Sequence, residues 1–142
     1  MPIIAVVSGI YCPGDEISKR VADHLGYKWE GEAFIRKAAQ RFDTTADKLA
    51  RSMTGDRALF NVVTREYEKS LVYLRAAMAD MLAGDNIVYH GPATHLIPSA
   101  VEHVFKVGIV ADDDYRIRHA AGDGIDAGEA EKNIRKDDSD SA

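Results

Sequence analysis

Ile3-Ile4-Ala5-Val6-Val7-Ser8 is apolar at odd and even positions alike. A run with no polar face predicts a strand buried on both sides. It stops at Gly9, and Gly14-Asp15-Glu16-Ile17 opens an amphipathic pattern that runs to Leu25. That pattern predicts a helix with Ile17, Val21, His24 and Leu25 on one face, ended by Gly26. Tyr27-Lys28-Trp29 reads as a short extended segment, with Trp29 packed in the core or at its rim. Residues 32–40 predict a helix turning Phe34, Ile35, Ala38 and Ala39 inward. Thr44 to Asp47 has the chemistry of a cap before another turn through Leu49 and Met53. Thr54 to Arg57 breaks the pattern. The longest helical stripe follows over 58–83: Leu59, Val62, Val63, Tyr67, Leu71, Leu74, Met78 and Leu82. Such a stripe covers a core. It also leaves open a homodimer seam or the surface for a partner domain.

Asn86 to His90 is a second short strand, running into Gly91. A short helix is expected over 97–103, after Pro98. Val104 to Ala111 is the last clear strand, and Asp112 to Ala120 turns helical. Gly122-Asp123-Gly124 interrupts it. Residues 127–136 form a further helix rich in Glu and Lys, and the acidic tail 137–142 is expected to fray. Strands alternating with helices imply an α/β sandwich around a largely parallel sheet. The strand at 3–8 should be interior, with 86–90 and 104–110 beside it. Residues 1–121 then make the core. Residues 122–142 make a lid-like helix and tail, expected to move relative to that core because they lack an apolar stripe.

Composition adds limits. The chain has 142 residues, a net charge of −5 and one cysteine, Cys12. The acidic balance argues against broad binding to nucleic acid or an anionic membrane. A single cysteine allows no internal disulfide and suits a reducing cytoplasm. No apolar run reaches the length of a membrane span, and Met1-Pro2-Ile3 enters a strand without a basic leader.

Ligands of parallel sheets sit at the carboxyl ends of the strands. Three such ends should converge here: Ser8-Gly9, His90-Gly91 and Ala111-Asp112. Strand, glycine loop and helix N-terminus make the scaffold of a phosphate-binding loop, and Gly9-x4-Gly14 has its glycine spacing. A Walker A loop follows its second glycine with Lys and Ser/Thr. This chain has Asp15 and Glu16 there, a degenerate version. Carboxylates in a first helical turn are favoured by the helix dipole, so they need no ligand to explain them. Cys12 lies in the loop, where a helix N-terminus can activate a thiol; a passive thiol is the simpler reading. His90 and His95 flank a strand end without further metal ligands in view. Asp112-Asp113-Asp114 reads as a helix-capping run, with water-mediated Mg²⁺ as the alternative.

The order of these segments resembles the cytidylate kinase-like branch of the P-loop nucleoside monophosphate kinases. Gly14-Asp15-Glu16-Ile17 stands where such proteins have Gly-Arg-Glu-Ile, and Val88-Tyr89-His90-Gly91-Pro92-Ala93 follows a long helix ending Ala83-Gly84. Asp114-Tyr115-Arg116-Ile117 and Gly128 to Lys136 complete the match. The resemblance implies a three-layer P-loop NTPase-like sandwich with a helical lid. It also implies phosphoryl transfer from ATP, with Mg²⁺, to a pyrimidine nucleoside monophosphate such as CMP. Ser8, Gly9, Gly14, Asp15, Glu16 and His90 fall at its nucleotide-binding positions, and Arg116, Arg135 and Lys136 at its catalytic ones. The family's loop cation corresponds to Asp15, the arginine of its Gly-Arg-Gly-Ala turn to His90, and its lid-end arginine to Ser141. A last strand and an adenine-side loop would lie beyond Ala142. Phosphoryl transfer depends on neutralising phosphate charge. The leading expectation is therefore a nucleotide-binding or regulatory domain with weakened or lost transfer chemistry. An active CMP-like kinase and an interaction domain using the helix over 58–83 remain the alternatives.

Overall fold

In a computed structural model describing residues 2–53 and 64–141, strand β1 (Ile3–Ser8) runs between β3 (Ile87–His90) and β4 (Val104–Ile109). β2 (Lys28–Glu30) lies outside β3, and every pairing is parallel. The double-sided apolar character of β1 thus marks an interior strand. Ile3 and Ala5 face one layer, with Phe34, Leu74, Met78 and Tyr89. Val6 faces the other, with Ala22 and Val88. Helices cover both faces, giving the three-layer α/β sandwich.

The first layer holds α2 (Ala33–Arg41), α3 (Ala46–Met53) and α4 (Thr64–Leu82). Leu74, Met78 and Leu82 of the expected stripe are buried. Leu59, Val62 and Val63 lie outside the described residues. The second layer is built on α1 (Gly14–Leu25), and its inward face differs from expectation. Ser18 and Ala22 are buried, whereas Ile17 and Leu25 are 40% and 45% exposed. Small residues let α1 approach the sheet closely, and of the expected face Val21 still packs against this layer.

Two other expectations change, for the turn after β3 and for the acidic tail, while β4 lies beside β1 as expected. The helical turn after β3 is a 3₁₀ segment at Pro92–Leu96, earlier than 97–103. Gly91 and Pro92 start it directly, and Thr94 Oγ1 donates to the Gly91 carbonyl. β4 is an edge strand, with Phe105 67% exposed and Val110, just past its end, 89% exposed. Apolar residues on both sides therefore did not mean burial there. As far as Ser141 the acidic tail is helical: α6 (Ala127–Ser141) runs through it and packs against α5 (Asp113–Gly122). Ala130 and Ile134 are buried, a narrow seam one turn apart. Among the described residues, no helix is long and apolar enough to cross a membrane.

Candidate functional site

The two-residue period of a strand puts Ser8 on the same face as Val6, and His90 on the same face as Val88. Both side chains therefore point toward the start of α1. Ser8 Oγ and His90 Nε2 share a hydrogen bond of 2.9 Å. Gly14 closes over this pair. A Cβ there would overlap Ser8 Oγ and lie 2.6 Å from His90 Nε2, so only glycine permits the approach. His90 Nδ1 is 3.6 Å from Asp15 Oδ1, while Asp15 Oδ2 takes the Lys19 ammonium at 2.6 Å. Burial lowers the His90 pKa below its ordinary value, with Lys19 adding to the effect and Asp15 opposing it.

Ser8, His90 and Asp15 are the residue types of a hydrolytic triad. The geometry is not that of one. The His–Asp gap exceeds hydrogen-bond length, and Asp15 is committed to Lys19. The pair ties the β1 and β3 strand ends to the helix start.

The loop between β1 and α1 is held tightly. Cys12 N–H donates to the Gly9 carbonyl at 3.2 Å. Tyr11 adopts a left-handed backbone, φ 59°, uncommon for a residue with a Cβ. Its hydroxyl accepts from Asn133 Nδ2 of α6 at 2.9 Å. Further along the chain, Asp112 caps α5 by accepting the Tyr115 N–H at 2.7 Å, as the capping reading expected. One residue on, Arg116 is only 5% exposed. Its Nε donates to the Ile10 carbonyl at 3.0 Å, and its Nη1 lies 2.9 Å from Asp138 Oδ1. Its Nη2 is buried without a hydrogen-bond partner, with Asp137 Oδ2 at 3.5 Å. The same Asp137 oxygen accepts the Ile10 N–H at 2.9 Å.

Ser8, Gly9, Gly14, Asp15 and His90 thus stand together, and Arg116 reaches the loop from α5: a Cβ on Gly9 would meet its Nη2 at 3.2 Å. Glu16 is exposed and faces Arg20 at 3.8 Å. Arg135 and Lys136 are exposed on α6. The residues of α6 that face the loop are Asn133, Asp137 and Asp138, which the sequence reading did not single out. Their signal was the four-residue spacing of Asn133 and Asp137 on one helix face. Two clefts meet at His90 and Gly91. One, of about 500 Å³, is lined by Ser8, His95, Asp137 and Asp140. The other, of about 570 Å³, is lined by Asp15, Trp29, Glu32 and Arg36.

A sequence profile of the cytidylate kinase-like family matches residues 3–142. The chain belongs to the cytidylate kinase-like family. No curated protein matches this cytidylate kinase-like chain in sequence. Solved structures share its fold. An uncharacterized protein from Eubacterium ventriosum superposes with a TM-score of 0.62 at 16% identity, covering 98% of this chain and 72% of that one. Shikimate kinase from Bacteroides thetaiotaomicron gives a TM-score of 0.57 at 14% identity, covering 95% and 76%. Shikimate kinase from Acinetobacter baumannii, in complex with shikimate, gives 0.54 at 9% identity, covering 95% and 73%.

The family implies use of a nucleotide and Mg²⁺. The residues of this cytidylate kinase-like site do not fit a Mg²⁺-triphosphate in the arrangement observed. The first turn of α1 carries Asp15 and Glu16, a loop N–H is already bound by Asp137, and Arg116 is engaged by carboxylates. Among the described residues, no group of three or more His, Cys, Asp or Glu is placed to hold a metal ion.

Proposed function

We propose that the chain is a nucleotide-binding or regulatory domain of kinase-like fold in which phosphoryl transfer is weakened or lost. One observation carries this reading: the buried cation at the loop, Arg116, faces Asp137 and Asp138, while α1 opens with Asp15 and Glu16. Transition-state charge in phosphoryl transfer needs uncommitted positive groups. Ser8, Gly9, Gly14, Asp15, Glu16 and His90 form the nucleotide side in this reading. The segment 122–142 acts as its lid, and the setting is cytoplasmic.

An active CMP-like kinase is the second reading. It is favoured by the Arg116 Nη2, a buried donor with spare capacity. It would draw on Arg116, with Arg135 and Lys136 brought round by movement of α6. Calorimetric titration with ATP, CMP and CDP, with and without Mg²⁺, beside a coupled turnover assay, separates the two. The binding-domain reading expects weak ATP binding and no turnover above background. Micromolar MgATP binding, roughly 8 kcal/mol, accompanied by CMP-dependent turnover would install the active enzyme instead.

A further inference from the structure

A carboxylate that accepts a loop N–H and pairs with an arginine makes the contacts a phosphoryl oxygen makes in a glycine loop. Asp137 makes both, from the opposite end of the chain. We propose that Asp137 is an internal stand-in for phosphate. Helix α6 occupies the anion position formed by the Ile10 N–H and the Arg116 guanidinium, and a phosphate-bearing ligand enters only by displacing it. The inference rests on the reading of the chain as a nucleotide-binding domain, and it names how that site is regulated.

Three observations support it. First, the resident carboxylate fits imperfectly. Arg116 Nη2 is buried with its nearest carboxylate oxygen at 3.5 Å and no hydrogen bond. A phosphoryl group brings a third acceptor oxygen to satisfy such a donor. An unmade bond on a buried donor is costly, so the docked state sits above what the site can achieve with a better anion. Second, α6 grips the loop through polar contacts: Asn133 on Tyr11, Asp137 on Ile10 and Asp138 on Arg116. Water replaces contacts of this kind when a helix lifts, whereas a large apolar face would hold it down. Third, Asp137 and Asp140 line the same cleft as Ser8 and His90. While α6 is docked, that cleft repels anions.

The test uses the full chain and two probes, inorganic phosphate and ATP. Asp137→Asn removes the competing charge. Asn133→Ala leaves both carboxylates and the anion position intact and removes only a bond that docks α6. A folding defect at position 137 therefore does not decide the matter. Both variants should bind phosphate and ATP more tightly than the native chain, Asp137→Asn by about tenfold at low salt. Phosphate added to the native chain should speed amide exchange across 127–141. Unchanged or weaker phosphate binding in both variants overturns the proposal, as does ligand-induced protection of α6. Tighter phosphate binding without ATP binding in any form upholds the self-occupied anion site and removes the nucleotide reading.

Discussion

Ser8 and His90, far apart in sequence, share a 2.9 Å hydrogen bond where two parallel strands end against the first residue of α1. The bond makes His90 part of the fold, so its protonation is coupled to stability. Burial holds the folded His90 pKa below the ordinary 6.5. On acidification the unfolded chain takes up this proton first. Unfolding is then favoured as pH falls below the ordinary value, until the folded pKa is reached. One such group changes stability by at most ~1.4 kcal/mol per pH unit. His90→Gln, which keeps a hydrogen-bonding group beside Ser8, should flatten the decline between neutral and mildly acid pH. Denaturant midpoints across that range measure it.

The two glycines that close this corner should not tolerate a methyl group. At Gly14 it would strike Ser8 and His90, and at Gly91 it would lie 2.5 Å from the hydroxyl of buried Tyr89. Gly14→Ala and Gly91→Ala are each expected to cost ~1–3 kcal/mol by overpacking. The usual gain from Gly→Ala inside a helix should not appear at position 14. Thermal melts of both variants, with Gly122→Ala as a control whose Cβ meets nothing, decide this.

Asp15 governs charge at the helix start. Asp15→Lys is expected to tighten triphosphate binding more than monophosphate binding, by about tenfold at low ionic strength. Its side chain is more than half exposed, so the gain should shrink as salt rises. Calorimetry at two salt concentrations reads both effects. Weaker ATP binding in the variant would show that Asp15 is not the obstacle.

Arg116 joins α5, α6 and the loop. Arg116→Met should lower stability by ~1–3 kcal/mol, because Asp138 and the Ile10 carbonyl lose a charged donor. Arg116→Lys should rescue little of it, since an ammonium cannot span Nε and both Nη positions. Amide exchange should report the loss first in α6. Loss spread evenly over the sheet would contradict the local role.

The sheet was legible because β1 and β3 carry their burial in their own residues: apolar side chains on both faces, ended by Gly9 and Gly91. β4 was legible as a strand but not as an edge, since Phe105 looks the same whether or not a neighbour covers it. The site was half legible. The glycine loop, Asp15, His90 and Arg116 could be placed by their order along the chain. The Ser8–His90 bond and the Asp137–Ile10 bond join distant residues through polar atoms, and periodicity gives at most a shared helix face, never the partner. The acidic run at 137–140 illustrates this. Out of context it belongs to a solvated tail; in the fold it is helical, with Asp137 and Asp138 facing the buried guanidinium of Arg116.

An all-parallel sheet also sets the order in which the chain can fold. Ile4 aligns with Val88 and Ile3 with Val104, so β1 has no local partner and no hairpin to start from. Each of its ladders closes a long loop before any strand pairing rewards it, which slows folding. During synthesis β1 leaves the ribosome apolar on both faces and unpaired on both edges until β3 and β4 emerge. For that interval it is a segment that a chaperone would shield.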